Sequence, residues 1–138
     1  MTDYACALII QDGKLLLGRR ALYRKTYADK WDVIGGKVEP GENLEEALIR
    51  ELGEEIGISP LNSSAFDVIS DTGRDPKSPP KYHYFLVTRW QGTPSICNHE
   101  HSELQWFPFE EAAALPDLAI QEYAALFIRL SLVETHIL

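Results

Sequence analysis

The stretch from Gly35 to Ile58, GGKVEPGENLEEALIRELGEEIGI, decides the fold of this chain. Asn43 follows a Pro-Gly turn and is a suitable helix N-cap, and Gly57 suits a left-handed helix C-cap. Between these two residues an apolar side chain recurs every four positions, at Leu44, Leu48, Leu52 and Ile56. Because positions four apart lie on one face of a helix, the stretch predicts an amphipathic helix that packs through this ridge.

Three carboxylates lie within five residues of the predicted helix, at Glu51, Glu54 and Glu55. Their spacing places them on one flank beside the apolar ridge, where like charges repel each other. The arrangement indicates a bound cation, and hard oxygen ligands suit Mg²⁺, with Mn²⁺ as a substitute. No nearby histidine or cysteine offers a zinc ligand set. A solvated acidic face is the simpler interpretation for Glu45 and Glu46.

The same stretch resembles the signature of the Nudix hydrolases, GX5EX7REUXEEXGU, in which U is a bulky aliphatic residue. Every defined position is matched here, by Gly36, Glu42, Arg50, Glu51, Leu52, Glu54, Glu55, Gly57 and Ile58. The resemblance implies an α/β fold, an α/β/α sandwich with a central mixed β-sheet, and one domain over residues 1–138. It also implies Mg²⁺-dependent hydrolysis by attack of water at phosphorus in a diphosphate linkage.

The resemblance assigns metal binding to Glu51, Glu54 and Glu55. It leaves open which glutamate is the general base. Glu51 or Glu54 is the first choice, and Glu100 and Glu103 are alternatives because many relatives supply a further carboxylate from this later region. Polar positions that simply flank a strand are the other interpretation of Glu100 and Glu103.

Other signature positions have supporting roles in the resemblance. Glu42 and Arg50 are implied to form a structural salt bridge that orients the carboxylates. Through this role Arg50 is implied to be one of the catalytic residues. A helix pair between Glu46 and Arg50 is compatible with it. Gly36 and Gly57 are backbone positions that tolerate conformations closed to other residues.

A basic segment directly precedes the acidic helix, since seven of the thirteen Lys and Arg residues lie between positions 14 and 37. This segment resembles the MutT-type nucleoside triphosphate pyrophosphohydrolases, which implies that Arg20 and Lys37 lie near substrate phosphates. A surface position at a strand end is the alternative for Arg20. Trp106 is a candidate for stacking on a base, or else a core residue. The base-reading asparagine of that subgroup has no counterpart at residues 119–121.

These features predict hydrolysis of a nucleoside triphosphate to the monophosphate and pyrophosphate. A nucleotide sugar or another nucleoside diphosphate derivative is the alternative substrate, and a non-catalytic nucleotide-sensing module is the alternative function. The net charge of -8 argues against a nucleic-acid polymer as partner. No apolar run is long enough for a bilayer and the N-terminus lacks a signal sequence, so we expect a cytoplasmic monomer or homodimer.

The remaining sequence predicts alternating strands and helices. Tyr4–Ile10 and Lys14–Gly18 read as a hairpin that precedes a polar loop over residues 19–30. Further strands are predicted at Trp31–Ile34, Ala65–Ile69, Tyr82–Trp90 and Glu103–Phe107, and further helices at Phe109–Ala114 and Ala119–Leu132. The segment Asp71–Lys81 contains three prolines and predicts an irregular loop.

Overall fold

The structure, a computed structural model, describes residues 2–137, so the two terminal residues of the predicted 1–138 domain lie outside it. Within that range the chain forms nine strands and three helices. In chain order they are β1 (Asp3–Gln11), β2 (Lys14–Arg20), β3 (Trp31–Asp32), β4 (Ile34–Lys37), α1 (Leu44–Ile56), β5 (Ser59–Pro60), β6 (Ser64–Ser70), β7 (Lys81–Val87), β8 (Trp90–Gln91), β9 (His101–Pro108), α2 (Phe109–Ala113) and α3 (Tyr123–Ile137).

Strand β1 lies at the centre of a mixed sheet. It pairs with β7 in parallel and with β4 and β2 in antiparallel fashion, and β6 adds to the outer side of β7. Strand β2 also pairs with β3 and β9. Residues 5–10 of β1 are all buried, because both faces of the sheet are covered, which explains an apolar run without alternation.

Helices cover the two faces of the sheet and enclose two hydrophobic clusters. On one face, Leu48 and Leu52 of α1 pack with Ile9 of β1. On the other face, Tyr123 and Phe127 of α3 pack in a second cluster that also includes α2 and β9. The predicted α/β sandwich with a central mixed sheet is therefore confirmed.

Helix α1 follows the prediction at both ends. The Asn43 side chain accepts a bond from the Glu46 amide while the Glu46 side chain accepts one from the Asn43 amide, which forms a capping box. Gly57 ends the helix with φ of 71°, a left-handed conformation that favours glycine. The helix position therefore depends on local sequence signals at both termini. Within residues 2–137, none of the helices combines the length and apolar character that crossing a bilayer requires.

The prediction of one strand over Trp31–Ile34 is wrong, because the chain changes partners within it. Residues Trp31 and Asp32 pair with β2, whereas β4 starts at Ile34, pairs with β1 and continues to Lys37. Strand β2 also extends to Arg20, beyond the predicted start of the loop at residue 19. This arrangement brings Arg20 and Lys37 to strand ends near helix α1.

Two later boundaries also differ from the prediction. Strand β7 ends at Val87, and Trp90 instead pairs with Pro60 in a separate two-stranded sheet of β5 and β8. Helix α3 begins at Tyr123 and not at Ala119, whose amide donates to the main-chain oxygen of Trp31 at 2.8 Å. Sequence periodicity assigned Ala119 to the helix, but its amide forms a tertiary hydrogen bond instead.

Candidate active site

A cavity of about 280 Å³ lies where β1, β4 and α1 meet the loops after β2 and β6. Part of its wall is acidic and consists of Glu51, Glu55 and Glu100. Cationic side chains from three other segments line it as well, namely Arg20, Arg24, Lys37 and Arg74. Carboxylates and cations within one cavity are the combination that a metal–phosphate ligand requires.

Glu55 is the most unusual carboxylate in the cavity. Its side chain is 2% exposed, and its Oε2 atom has no hydrogen-bond partner among the described residues. Burial, a hydrogen bond and repulsion from Glu51, and repulsion from Glu100 raise its pKa to about 11. A buried polar atom without a partner is costly, so this oxygen is chemically suited to accept a bound cation or a proton.

Glu51 lies beside Glu55 and is held between a glycine and an arginine. Its Oε1 accepts a bond from Arg50 Nη1 at 2.9 Å. A Cβ atom added to Gly36 would lie 2.3 Å from the Glu51 Cδ atom. The absence of a side chain at Gly36 therefore makes room for the Glu51 carboxylate against strand β4.

Arg50 joins helix α1 to the segment that precedes it. Its Nε and Nη2 atoms donate to the two carboxylate oxygens of Glu42 at 2.7 and 2.9 Å. Nη2 also donates to the main-chain oxygen of Lys37 at 3.0 Å. This paired hydrogen bond, with a further bond from the Glu39 amide, lowers the pKa of Glu42 to about 2. The same guanidinium thus fixes the Glu42 loop, the end of β4 and the Glu51 carboxylate.

Glu54 occupies a different environment from the other two helix carboxylates. Its side chain is 57% exposed, accepts from Arg50 Nη1 at 3.3 Å and does not line the cavity. No group of three or more acidic, histidine or cysteine side chains in residues 2–137 is arranged as a complete metal site. Metal binding by Glu54 therefore stays a prediction.

Glu100, directly before β9, and His101, the first residue of β9, also contribute to the cavity. Glu100 lines the cavity and accepts from Arg24 Nη1 at 3.3 Å. His101 is buried behind it, with Nδ1 3.8 Å from Glu55 Oε1. Burial, with the charge of Arg24, lowers the pKa of His101 to about 4. His101 is therefore a neutral side chain at neutral pH, packed beside Glu55.

Arg20 and Lys37 both line the cavity, as the sequence led us to expect for residues near substrate phosphates. Arg20 is held by a salt bridge of 3.2 Å to Asp32 and a bond of 2.8 Å to the main-chain oxygen of Thr26. Lys37 is exposed at the end of β4, next to Gly36. Arg20 is therefore held by its partners, whereas Lys37 is exposed, and both side chains line the same cavity as Glu51.

Comparison with known proteins identifies the family. The family model described as NUDIX domain matches residues 1–129. The chain belongs to the Nudix hydrolases.

Its relatives include enzymes that hydrolyse nucleotides. CTP pyrophosphohydrolase of Escherichia coli is 35% identical over 117 residues, which cover 84% of this chain and 82% of that protein. Nucleoside triphosphatase NudI of Salmonella paratyphi B is 35% identical over 116 residues, which cover 78% of this chain and 82% of that protein. The crystal structure of MutT NUDIX hydrolase from Burkholderia pseudomallei superposes with a TM-score of 0.80 at 26% identity, over 92% of this chain and 95% of that one.

Nudix hydrolases generally use divalent metal ions, and the carboxylates of this Nudix domain fit such an ion. The unpaired Glu55 oxygen is buried, and Glu51 and Glu100 are close enough to raise the Glu55 pKa. These groups offer oxygen ligands alone, which suit a hard divalent cation. Glu51 and Glu55, two of the three predicted metal ligands, line this part of the cavity together with Glu100, and metal binding by these residues stays a prediction.

Two predicted site residues of β9 are not brought to the cavity of the Nudix domain. Glu103 is exposed and pairs in register with Arg19 of β2. Trp106 packs against the α1-side cluster and stacks on Trp90 with ring centroids 6.1 Å apart. Trp106 thus has the position of a core residue. Of the two later acidic residues, Glu100 lines the cavity and Glu103 does not.

Sequence reasoning missed much of the remaining cavity wall. Asp32 lines it and accepts from Tyr123 Oη at 2.7 Å, while Tyr123 accepts from Tyr84 Oη at 3.2 Å. Burial raises the Asp32 pKa above its usual value, although Arg20 opposes this shift. The available signal in the sequence was the position of Asp32 between two apolar residues, Trp31 and Val33. An acid that is buried with such neighbours requires a partner.

Proposed function

We propose that this Nudix hydrolase cleaves a nucleoside triphosphate to the nucleoside monophosphate and pyrophosphate, using Mg²⁺ or Mn²⁺. The observation that carries the proposal is the unpaired Glu55 oxygen beside Glu51, in a cavity that also presents Arg20 and Lys37. The names of the two relatives, CTP pyrophosphohydrolase and nucleoside triphosphatase, agree with this substrate class.

The residues of the acidic wall would divide the work of binding and proton transfer. A divalent cation, when bound by Glu51, Glu55 and Glu100, supplies neutralisation of phosphate charge and activation of water. Arg50 holds Glu51 through Oε1, which leaves Oε2 to accept the proton of the attacking water. Arg50 contacts both first-choice bases, but Glu51 lines the cavity and Glu54 does not, which favours Glu51.

The cations of the cavity would receive the phosphates. Arg20 is oriented by Asp32 and lines the same cavity as the helix carboxylates, so it is suited to a fixed phosphate contact. Lys37 is exposed and can follow a phosphate as charge moves to the leaving pyrophosphate. Water attacks phosphorus, the bond to the bridging oxygen breaks, and pyrophosphate carries away that electron pair.

The proposal is tested with a panel of nucleoside triphosphates, deoxynucleoside triphosphates and nucleotide sugars in the presence of Mg²⁺. We expect release of pyrophosphate, not phosphate, from triphosphates. Glu51→Gln is expected to lower kcat by at least about 100-fold, whereas Glu45→Gln, on the exposed face of the same helix, retains activity. Turnover restricted to nucleotide sugars would replace the substrate class, and no turnover by the wild-type protein would overturn the enzymatic proposal.

A further inference from the structure

Asp71 is a buried carboxylate that sequence analysis treated as part of an irregular loop. Its side chain follows β6 directly, and the residue is 5% exposed. Its Oδ2 atom accepts from Tyr27 Oη at 2.6 Å and from Tyr82 Oη at 2.9 Å. Two phenols that share one buried carboxylate oxygen form a strong, charge-assisted contact.

This contact joins two loops that border the cavity. Tyr27 belongs to the loop over residues 21–30, and Asp71 begins the loop over residues 71–80. In the part of the chain that the structure describes, the Tyr27–Asp71 bond is the hydrogen bond that links these two loops. Burial and the bond to Asp71 raise the pKa of Tyr27 to about 12, so its phenol keeps the proton that it donates.

The loop over residues 21–30 contains two strained positions, and the Asp71 contact holds the side chain of one of them. Tyr27 and Asp29 have φ angles of 55° and 61°. Residues other than glycine rarely adopt such angles, and they carry backbone strain. The Asp29 end is fixed by a bond from Arg19 Nε at 2.9 Å. The Tyr27 side chain is held at its tip by Asp71, at the opposite side of the loop.

The same carboxylate also organises its own loop. Asp71 Oδ1 accepts from the Arg74 amide at 3.2 Å, and Arg74 Nη1 donates to Tyr82 Oη at 3.2 Å. The guanidinium lies over the Tyr4 ring, 5.3 Å from its centroid. Arg74 is therefore placed at the cavity by Tyr4 and by two groups connected to Asp71, namely its own amide and the Tyr82 hydroxyl.

The residues that Asp71 holds line the cavity, although Asp71 itself does not. Tyr27, Arg74 and Tyr82 are all part of the cavity wall. Asp71 can thus influence a ligand through three side chains without contacting it. We call the set of Asp71, Tyr27 and Tyr82 the Asp71 latch.

We propose that Asp71 is a positioning residue for substrate binding, which through the Asp71 latch holds the walls formed by the two loops at the spacing that the nucleotide requires. This inference rests on the proposed nucleotide hydrolysis. It assigns the latch to binding of the substrate and not to the chemical step, because the acidic wall at Glu51 and Glu55 is built from other elements.

The test compares Tyr27→Phe, Asp71→Asn and the double variant with the wild-type protein. For the best substrate of the panel, we expect each single change to raise KM by about 10-fold with kcat changed less than about twofold. The double variant is expected to be no worse than Asp71→Asn alone, because both changes affect the Tyr27–Asp71 bond and only Asp71→Asn also affects the bonds from Tyr82 and the Arg74 amide. Tyr23→Phe is the control, since Tyr23 lies in the same loop, is 65% exposed and does not line this cavity.

Several outcomes would overturn the inference. An unchanged KM with a lowered Tm would show a purely structural contact, and additive effects in the double variant would show that Tyr27 contacts the substrate independently. Hydrogen exchange gives a second readout, because Tyr27→Phe is expected to accelerate amide exchange at residues 71–80, across the latch. If the wild-type protein turns over no nucleotide, the proposed function fails, and unchanged exchange at residues 71–80 would then dismiss the latch separately.

Discussion

Single side chains of helix α1 that look alike in sequence occupy three environments in the structure. The exposed fractions of the Glu51, Glu54 and Glu55 side chains are 13%, 57% and 2%. The helix period explains the difference, since Glu51 and Glu55 are four residues apart and share a face, whereas Glu54 turns toward Arg50. The three carboxylates therefore differ in their exposure to solvent, and the number of acidic residues in the helix does not reveal this difference.

Gly36 provides a test of how closely the Glu51 carboxylate must be placed. In Gly36→Ala the new methyl group would overlap the Glu51 carboxylate, so this side chain must move. We expect kcat/KM to fall by about 100-fold, since displacement of a catalytic group by about 1 Å has effects of that size. Steady-state kinetics at saturating Mg²⁺ measure it.

Gly53→Ala is the matched control for this change. A Cβ atom at Gly53 meets nothing within 4 Å, and alanine in a helix interior is favoured over glycine by about 1 kcal/mol. The control variant should be more stable and fully active. Equal activity losses in both variants would mean that the Glu51 contact with Gly36 has no special role.

At the scale of elements, helix α1 is fixed at its first turn by a capping box and at its middle by Arg50. The first turn follows the Glu42 loop, and Arg50 binds both Glu42 and the main chain of Lys37. The end of β4 and the start of the helix are thus connected by hydrogen bonds on the side of the cavity. A change in the helix start is therefore expected to affect stability before it affects chemistry.

Asn43→Ala tests that separation. The substitution removes the side-chain bond to the Glu46 amide, and loss of such a cap costs about 1 kcal/mol. Urea denaturation should show this loss in the free energy of unfolding, while kcat stays within about twofold of the wild-type value, because Arg50 still fixes Glu51. A large drop in kcat at unchanged stability would contradict this division of roles.

Helix α1 could be predicted from sequence because its signals are local. Its caps and its ridge of four apolar residues all lie within fifteen positions of the chain, whereas the error at Trp31–Ile34 arose from distant partners. Asp32 pairs with Gly18 and Ile34 pairs with Ala7, and no pattern within the segment itself states this change. The start of α3 was misplaced for the same reason, since Ala119 bonds to Trp31.

The candidate site divides in the same way. The acidic wall could be predicted in large part from the residues between positions 36 and 58, which belong to one turn and one helix. The opposite wall could not, because the bond from Tyr27 to Asp71 joins residues 44 positions apart. The sequence around Tyr27 does not indicate which residue accepts its hydrogen bond, so the Asp71 latch can be recognised only from the tertiary structure.

For the whole molecule, the distribution of charge matters more than its sum. The net charge of -8 repels an anionic nucleotide, yet Arg20, Arg24, Lys37 and Arg74 converge on the cavity. These cations offset the local repulsion, and a cation held by Glu55 would offset more of it. Without a bound cation, the raised pKa of Glu55 favours a proton on this carboxyl, which lowers the repulsion within the acidic wall.

That proton gives the stability of the metal-free protein a pH dependence. The Glu55 pKa is about 11 in the folded protein and about 4.5 in the unfolded chain, so between these values the folded state binds one more proton. The contribution of Glu55 to stability is then fully present below about pH 4.5 and is lost as the pH rises toward the raised pKa of the folded protein. His101, with its pKa lowered from 6.5 to about 4, acts oppositely and only below about pH 6.5.

Urea denaturation in EDTA between about pH 7 and 8 reports mainly on Glu55, because the His101 contribution is constant there and Cys6, whose thiol pKa is raised by burial, contributes only as the pH approaches the ordinary thiol value of about 8.5. We expect the free energy of unfolding of the wild-type protein and of Glu45→Gln to decline across this range, and that of Glu55→Gln to stay level. Added Mg²⁺ should stabilise the first two proteins increasingly with pH, since the cation displaces the proton. A decline that persists in Glu55→Gln would place the proton on another group and remove the buried oxygen as the cation ligand.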